Sequence, residues 1–273
     1  MLVSTPIGNL GDITARARAA LGASDVILCE DTRRTGRLLA AFGIRGRTEP
    51  LHEHNEDDRI ESVLEWIRTG QTVALVSDAG TPLMSDPGYR LVRAAIAANL
   101  PVTAVPGANA AVTALTLSGL PPLPFMFLGF PPAKQAARRA AFSGLRAAER
   151  AGLSATLVWH EAPHRLLETL ADLRDVFGDR AAAVARELTK RFETIERGKV
   201  SDLSGIFTRE PPRGEITLLI GPPETDDPED LDGRLRSALA TQTVKDAAAL
   251  VSAATSLPRK IVYARALEIH EER

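Results

Sequence analysis

The chain has 273 residues, a formal net charge of -2 and 44% hydrophobic residues, so it is long enough for two domains and a tail. Its one cysteine, Cys29, excludes an intrachain disulfide framework, and the residues after Met1 lack the basic and apolar regions of a secretory signal. These features predict a cytoplasmic protein. The net charge by itself argues against a nucleic-acid-binding protein.

The charges are unevenly distributed along the chain. The first basic cluster consists of Arg33, Arg34, Arg37, Arg45 and Arg47, and the second basic cluster of Lys134, Arg138, Arg139, Arg146 and Arg150. A solvated helix face explains each cluster, taken alone, better than a binding surface does. Residues 94–133 carry no charge, but prolines interrupt them too often for a membrane span, so no membrane association is predicted.

In the first 120 residues, short apolar runs alternate with polar loops and helical segments. Uncharged runs predict buried strands at 2–3, 26–29, 73–76 and 102–105. Helices are predicted at 13–21 with Asp12 as N-cap, at 33–42 with Thr32 as N-cap, after Asn55, from Pro87 with Asp86 as N-cap, and at 110–117.

The loops after these strands are rich in small residues, above all in VALVSDAGTPLMSDPG, residues 73–88. Ligands of open α/β sheets bind beyond the carboxyl ends of the strands, so this loop and the one at 106–109 predict one ligand crevice. Neither a GxGxxG dinucleotide motif nor a GxxxxGK[ST] phosphate loop occurs. His52 and His54 lack the further ligands that a zinc site needs, and no metal site is predicted.

Two carboxylates, Glu30 and Asp31, follow the second strand directly beside Arg33 and Arg34. This arrangement indicates either acid–base and phosphate-binding groups or a capped helix with a solvated ion pair. The residues alone leave both readings open.

A proline-rich segment at 120–124 predicts a domain boundary. Beyond it, strands are predicted at 125–128, 155–160, 182–187 and 215–221, and helices at 133–150 and 163–177. Strand–helix alternation predicts an α/β fold, and the last strands are close enough in sequence to pair antiparallel. The predicted domains are residues 1–120 and 121–222, followed by an acidic linker at 223–233 and a helical tail at 234–273.

Two short helices are predicted in the tail, one capped by Thr243 and one capped by Ser256 with Ile261, Tyr263 and Leu267 as its apolar residues. Two such helices joined by a tight turn suit a helix-turn-helix, and Arg259, Lys260 and Arg265 give the second helix a basic character. A packing or dimerisation tail explains the segment equally well.

Nine motifs occur in a fixed order: STPIGNLGDIT, CEDTRRTGRLL, LHEHNE, VSDAGTPLMSDPG, VPGANAAVTAL, FLGFPP, EAPHRLLETL, RELTK and GEITLLI. In this order they resemble the ribosomal RNA branch of the tetrapyrrole methylase superfamily. The resemblance implies two α/β domains of the class III methyltransferase type with S-adenosylmethionine in the cleft between them, and usually a homodimer. It also implies methylation of the ribose 2′-hydroxyl of a cytidine in the decoding region of bacterial 16S rRNA.

By the same resemblance, the cofactor contacts fall on Pro6, Asp78, Gly80, Thr81, Met84, Asn109, Ala110, Glu161, Glu187, Gly214 and Glu215. Members that act on tetrapyrroles carry Gly-Gly-Asp-Pro where this chain has the residues 79–82, Ala-Gly-Thr-Pro. That departure argues against a tetrapyrrole substrate.

Methyl transfer to a ribose hydroxyl needs a base within hydrogen-bond reach of the hydroxyl. We therefore expect Glu30 or Asp31 to be the base. The expected contacts with RNA are Arg33, Arg34, His54, Asn55 and Lys190. Two other functions stay open from the sequence: a methyltransferase acting on a tetrapyrrole precursor, and a noncatalytic RNA-binding assembly factor of the small ribosomal subunit.

Overall fold

The computed structural model describes residues 1–223, 228–255 and 257–271. The chain divides into two compact units, one comprising Met1–Leu117 with Ala185–Thr194 and the other Ser118–Val184 with Ile195–Arg273. The segment 185–194 therefore belongs to the first unit although it follows most of the second in sequence. In the described parts of the chain, no helix is long and apolar enough to cross a membrane.

The first unit is built on a five-stranded parallel sheet with strand order β3-β2-β4-β1-β5. Its strands are β1 (Leu2–Val3), β2 (Val26–Cys29), β3 (Thr48–Pro50), β4 (Val73–Leu75) and β5 (Ala104–Val105). The helices that follow them are α1 (Ala15–Gly22), α2 (Thr32–Ala41), α3 (Glu56–Arg68), α4 (Tyr89–Ala97) and α5 (Ala110–Ser118). The expected strand–loop–helix alternation is thus confirmed, with β3 as a strand that the sequence did not reveal.

Helices cover both faces of this sheet, which explains why its strands are apolar at successive positions. Ile27 and Cys29 of β2 pack with Leu21 of α1 and Leu39 of α2 on one face. The alternate residues Val26 and Leu28 pack on the other face with apolar side chains of α3 and α4. All four residues of β2 are fully buried. Successive side chains of a strand point to opposite faces of the sheet, and helices cover both faces here.

The second unit contains a sheet of order β6-β7-β10-β8-β9, in which β10 pairs antiparallel with β7 and β6 pairs parallel with it. The strands are β6 (Phe125–Phe127), β7 (Thr156–Glu161), β8 (Ala181–Arg186), β9 (Thr194–Lys199) and β10 (Ile216–Ile220). The helices are α6 (Gln135–Arg150), α7 (Leu166–Phe177) and α8 (Val200–Arg209). The antiparallel pair β7–β10 joins strands that are distant in sequence, whereas the antiparallel pairing was expected between the last strands, close together in sequence. Strand β9 and helix α8 were not predicted.

The tail forms three helices, α9 (Pro228–Ala238), α10 (Val244–Thr255) and α11 (Arg259–Glu271). They share a small core formed by Leu235, Ala247, Ala248, Val251, Val262, Ala266 and Ile269. The prediction of a linker up to residue 233 is wrong from Pro228 onward because this stretch begins α9. In the last helix the apolar residues Ile261, Tyr263 and Leu267 are exposed, and Val262, Ala266 and Ile269 face the core. Ser256, the predicted cap, lies outside the described residues.

Several helix starts differ from the predicted ones because a neighbouring residue makes the capping hydrogen bond. Thr14, not Asp12, caps α1 by accepting a hydrogen bond from the Ala17 backbone N–H. Asp31, not Thr32, caps α2. The fourth helix begins at Tyr89 after Gly88, so the predicted start at Pro87 with Asp86 as N-cap is wrong. Thr243 caps α10 as predicted, accepting from the Asp246 backbone N–H.

Candidate functional site

The carboxyl ends of β1, β4 and β5 lead into three loops that bind one another. Thr5 and Gly80 exchange two backbone hydrogen bonds, Thr5 N to Gly80 O at 2.9 Å and Gly80 N to Thr5 O at 3.1 Å. The Thr81 hydroxyl donates to the Ala108 carbonyl at 3.2 Å, and the Ser4 hydroxyl lies 3.4 Å from that of Thr81. This edge of the first sheet is where a parallel sheet binds its ligand.

Most of the predicted cofactor residues of the first unit lie in these three loops. Pro6 follows the Thr5–Gly80 bridge, and Asn109 caps α5 by accepting from the Val112 backbone N–H at 3.0 Å. Ala110 is the first residue of that helix, and the Met84 side chain is exposed. Gly80 and Ala110 are small enough to let a ligand such as a nucleoside approach the main chain closely.

The segment 185–194 reaches the same edge of the first unit. The Thr189 hydroxyl accepts a hydrogen bond from the Asn9 backbone N–H at 3.1 Å, and Lys190 Nζ donates to Glu187 at 2.8 Å. A Cβ on Gly8 would come within 2.5 Å of the Lys190 side chain, so the two residues are in close contact. Glu187 and Lys190, predicted for cofactor and RNA, therefore lie next to the first loop.

Asp31 is occupied as a helix cap. Its carboxylate accepts from the Arg33 backbone N–H at 2.8 Å and from the Arg33 guanidinium at 3.0 and 3.2 Å. These hydrogen bonds lower the pKa of Asp31 to about 2. A carboxylate so weakly basic is poorly suited to remove a hydroxyl proton at neutral pH, so the contacts speak against Asp31 as the base.

Glu30 is the exposed neighbour of Asp31, and its surroundings shift its pKa in the opposite direction. Burial raises the pKa of Glu30, and the nearby Asp78 carboxylate adds to the effect, while Arg34 opposes it. Arg34 forms an ion pair with Asp78 at 3.3 Å, and its side chain is 62% exposed. Asp78 also accepts a hydrogen bond from the Asp31 backbone N–H at 3.1 Å, so the ends of β2 and β4 are joined.

In the LHEHNE loop before α3, His54 and Asn55 have different environments. The Asn55 side chain accepts from the His52 backbone N–H at 2.8 Å and donates to the Pro50 carbonyl at 3.2 Å, so it holds the loop. His54 is exposed and lines a polar cavity of about 420 Å³. The cavity is bordered by Glu53, His54, Glu56 and residues 86–90. His54 therefore lines the cavity, whereas Asn55 supports the loop.

Asp86 was predicted from the sequence only as a helix N-cap and not as a candidate site residue. It lines the cavity, and burial together with the negative charges of Glu30 and Asp78 raises the pKa of Asp86 to about 7. The sequence offered one signal, namely a second aspartate in SDAGTPLMSDPG, but an aspartate before a proline also suits a helix N-cap.

The predicted cofactor residues of the second unit lie at the ends of β7 and β10. Glu161 is buried and accepts from the Ala162 backbone N–H at 2.7 Å and from the Thr169 hydroxyl at 2.5 Å, with Arg165 as its ion-pair partner. The Glu161 side chain thus anchors its own unit, and its backbone lies opposite Ile216 at the end of the β7–β10 pair. Gly214, with φ of 85°, and Glu215 directly precede β10.

The second basic cluster is solvated only in part, since Lys134 and Arg150 are exposed and Arg139 is half exposed, whereas Arg138 and Arg146 are buried. Arg138 is fully buried and donates to Asp172 at 2.7 Å, and Arg146 is buried against Glu149 at 3.2 Å. Arg180 donates to both carboxylate oxygens of the same Glu149 at 2.8 and 3.0 Å. Arg138 thus links α6 to α7, Arg146 pairs within α6, and Arg180 binds α6 from the residue before β8. These three buried arginines are not available to RNA. Among the described residues, no cluster of three or more histidine, cysteine or acidic side chains could hold a metal ion.

Comparison with known proteins gives the family of this chain. Residues 1–204 match the family model of tetrapyrrole (corrin/porphyrin) methylases, and residues 225–270 match the RsmI C-terminal helix-turn-helix domain. Among solved structures, the chain is similar to the methyltransferase CobJ, with a TM-score of 0.60 and 21% identity over 81% of this chain and 93% of that one. It is also similar to a diphthine synthase, with a TM-score of 0.59 and 14% identity over 80% and 89% of the two chains. At such identities these two likenesses show the fold alone.

Curated relatives are similar over nearly the whole chain. Proteins named ribosomal RNA small subunit methyltransferase I match at 46% identity in Micromonospora olivasterospora, covering 96% of this chain and 84% of that protein. The match is 44% in Escherichia coli O157:H7, covering 98% and 94%, and 43% in a Synechocystis strain, covering 99% and 98%. The resemblance read from the nine motifs is confirmed. The chain therefore belongs to the ribosomal RNA small subunit methyltransferase I family of the tetrapyrrole methylases.

Proposed function

We propose that this protein transfers a methyl group from S-adenosylmethionine to the ribose 2′-hydroxyl of a cytidine in the decoding region of bacterial 16S rRNA. The observation that carries the proposal is full-length similarity at more than 40% identity to methyltransferases named for small subunit ribosomal RNA. The match at residues 225–270 adds support, because it extends the similarity beyond the methylase domains.

S-adenosylmethionine supplies an electrophilic methyl group, so the protein must align the acceptor and take up a proton. In the first unit, the proposed cofactor residues are Pro6, Asp78, Gly80, Thr81, Met84, Asn109, Ala110 and Glu187. In the second unit, the proposed cofactor residues are Glu161, Gly214 and Glu215. The hydroxyl proton goes to a carboxyl of the group Glu30, Asp78 and Asp86, of which Glu30 is the member predicted from the sequence.

For the RNA, we propose that Arg33 and Arg34 bind phosphate oxygens and that His54 lies close to the ribose. Arginine is suited to phosphate because its planar guanidinium donates two parallel hydrogen bonds. Lys190 is proposed as a further phosphate contact, held by Glu187 until RNA arrives. The predicted contact of Asn55 with ribose becomes an indirect one, since its amide is committed to the loop.

The test incubates the full chain with radiolabelled S-adenosylmethionine and one of three acceptors: undermethylated small ribosomal subunits, free 16S rRNA or a tetrapyrrole precursor. We expect label in the ribosomal RNA. Alkaline cleavage of this RNA should be blocked at one nucleotide, because a 2′-O-methyl group replaces the hydroxyl that attacks the phosphate. Label in the tetrapyrrole alone, or RNA binding without transfer, would refute the proposal. We further propose that the protein is cytoplasmic and forms a homodimer. Light scattering of the purified chain tests the dimer in the same preparation.

A further inference from the structure

The loop from Ser77 to Gly88 joins the proposed cofactor site to a second feature of the first unit. Its first half contributes Gly80 and Thr81 to the three-loop edge, and its second half contributes Asp86 to the wall of the 420 Å³ cavity. Between the two, Leu83 and Ser85 have φ values of 72° and 74°. Left-handed backbone at residues other than glycine costs energy and is found where the surroundings impose it, often at functional sites.

Gly88 fixes the far end of this loop. Its φ is 117°, and a Cβ there would come within 2.5 Å of Leu75 Cδ2 and 2.9 Å of Leu83 Cδ2. The loop is thereby pressed onto β4, and Asp86 is held at the cavity wall two residues before. His54 also lines the cavity, as does Tyr89, a residue that is 64% exposed.

The cavity has the size and lining for one nucleotide rather than for a duplex. Cavities of roughly 300–1,000 Å³ hold small molecules in proteins. An exposed tyrosine offers a face on which a base can stack, and arginine offers a phosphate partner. Arg90 at the border is paired with Asp57, an exchangeable surface ion pair. Carboxyls on the inner wall suit hydroxyl and amino donors of a nucleoside.

Asp86 is surrounded by charged and titratable groups from several elements. These are Glu30 after β2, Asp78 in its own loop, Glu53 and His54 before α3, Glu56 in α3 and Arg90 in α4. Glu56 is buried and accepts from the Leu91 backbone N–H at 3.0 Å, so it is bound to α4 and not directed at a ligand. Glu30 is next to the Asp31 cap and to Arg34. Asp86 is therefore the carboxyl of this group that combines partial burial with a place on the cavity wall.

We propose that the cavity receives the acceptor nucleotide and that Asp86 is the catalytic base that takes the 2′-hydroxyl proton. This proposal rests on the proposed methyl transfer to ribose. The hydroxyl oxygen forms a bond to the methyl carbon, the carbon–sulfur bond of the donor breaks with its electron pair left on sulfur, and the proton moves to an Asp86 oxygen. Glu30 acts on Asp86 through its charge.

The basicity of Asp86 suits this role at neutral pH. A general base is most effective when its pKa is close to the working pH, and burial with two neighbouring carboxylates raises the pKa of Asp86 to about 7. Because Asp86 must be ionised to accept the proton, the rate is expected to rise with pH up to about 7 and then to level off.

The experiment measures single-turnover methylation of undermethylated small ribosomal subunits by the full chain between pH 5.5 and 9. Wild type, Asp86→Asn, Glu30→Gln and Asp58→Asn are compared, with S-adenosylmethionine binding by calorimetry and subunit binding by filtration. Asp58 lies on the exposed side of α3 and serves as the control. If wild type transfers no label to the subunit RNA, the proposed function fails before the variants are compared.

We expect Asp86→Asn to lower the rate on the order of 10²–10⁴-fold and to remove the rise with pH, while both binding affinities are kept. Glu30→Gln should stay active with its rise shifted to lower pH, because loss of the Glu30 charge lowers the pKa of Asp86. An active Asp86→Asn variant would overturn the assignment, as would loss of the rise in Glu30→Gln instead. Loss of cofactor or subunit binding in Asp86→Asn would show a positioning role and would also overturn it.

Discussion

Arg138 in α6 and Arg33 in α2 come from basic clusters that look alike in the sequence, yet Arg138 is fully buried whereas the Arg33 side chain is 85% exposed. Helix α6 packs beside α7, which presents Asp172 to Arg138, and a buried guanidinium persists only with such a partner. Helix α2 instead starts at the carboxyl edge of the first sheet, where its arginines face solvent. The contrast teaches that a basic cluster acquires its role from the element packed against it.

The strongest way to break this contrast is to remove Asp172. In Asp172→Ala the Arg138 charge stays buried and keeps a hydrogen bond to the Ala133 carbonyl and the more distant ion pair with the exposed Glu168, at 3.5 Å. We expect the free energy of unfolding to fall by about 3–5 kcal/mol in urea titrations, because the buried charge loses its buried partner.

Asp175 provides the matched control, since it pairs with Arg139 at 2.8 Å but is half exposed. Asp175→Ala should cost no more than about 1 kcal/mol, as surface ion pairs do. Equal effects of the two variants would mean that burial of the Arg138–Asp172 pair contributes nothing special to the second unit.

A buried ion pair stabilises the second unit, whereas a partly buried carboxyl, Asp86, is expected to destabilise the first unit. Its pKa is raised from 3.8 to about 7, so the protonated form favours the folded state, and this contribution is lost as the pH rises through that range. Asp86→Asn carries no charge and should therefore unfold at a higher urea concentration than wild type at pH 8. The gain should be smaller at pH 5.

Asp58→Asn should show no such pH-dependent difference from wild type. A midpoint of Asp86→Asn that is equal to or below that of wild type at pH 8 would contradict the raised pKa of Asp86. A gain in stability with a loss of activity would identify Asp86 as a residue retained for chemistry at the expense of the fold.

A smaller effect is expected when an exposed arginine of the first basic cluster is replaced, and it should alter the affinity for RNA rather than the stability of the fold. Arg33→Gln should weaken small-subunit binding by about tenfold at low salt and reduce the salt dependence by about one counterion, since one phosphate contact is lost. Stability should change by less than about 0.5 kcal/mol. Filter binding across a salt series measures the affinity.

Arg150→Gln gives the control from the other cluster, because Arg150 is the exposed residue at the end of α6. Its affinity for the subunit should match that of wild type. If both variants lose affinity equally, the distinction between the two clusters in RNA binding is wrong.

The sequence predicted the strand–loop–helix repeats and the edge at which their loops meet, because both follow from local patterns of apolar and small residues. Partners distant in the chain were beyond its reach. Arg138 meets Asp172 and Asp86 meets Glu30 only after folding, so neither the buried pair nor the raised pKa had a local signal. Even the caps depended on competition between adjacent residues, as with Asp31 and Thr32.

The family resemblance placed the cofactor residues by position, but it could not say which side chains are already engaged. Asp31 and Asn55 were predicted at the substrate because they are polar and follow strands, yet both complete hydrogen bonds of their own loops. Contacts of this kind decide between a reacting group and a supporting group. They depend on geometry that spacing alone does not specify.

The smallest effect is expected from the tail, whose last helix carries the three basic residues Arg259, Lys260 and Arg265. Arg265 donates to both oxygens of Asp232 at 2.5 and 2.7 Å and to Glu268, so it joins α11 to α9. Arg259 and Lys260 are exposed at the start of α11. Changing Arg259 and Lys260 to Gln together should weaken subunit binding a few-fold, with a lower salt dependence and unchanged stability, because exposed cations contribute mainly through counterion release.

Arg265→Gln should act differently, since Asp232 then loses the partner that lowers its pKa. The expected result is earlier melting of the tail helices, followed by circular dichroism, and a loss of subunit binding only at temperatures at which those helices have unfolded. If Arg265→Gln weakened binding at low temperature with the tail intact, Arg265 would be an RNA contact. RNA would then displace the ion pair between Arg265 and Asp232, and Arg265 would bind RNA as the exposed arginines of the first basic cluster are expected to do.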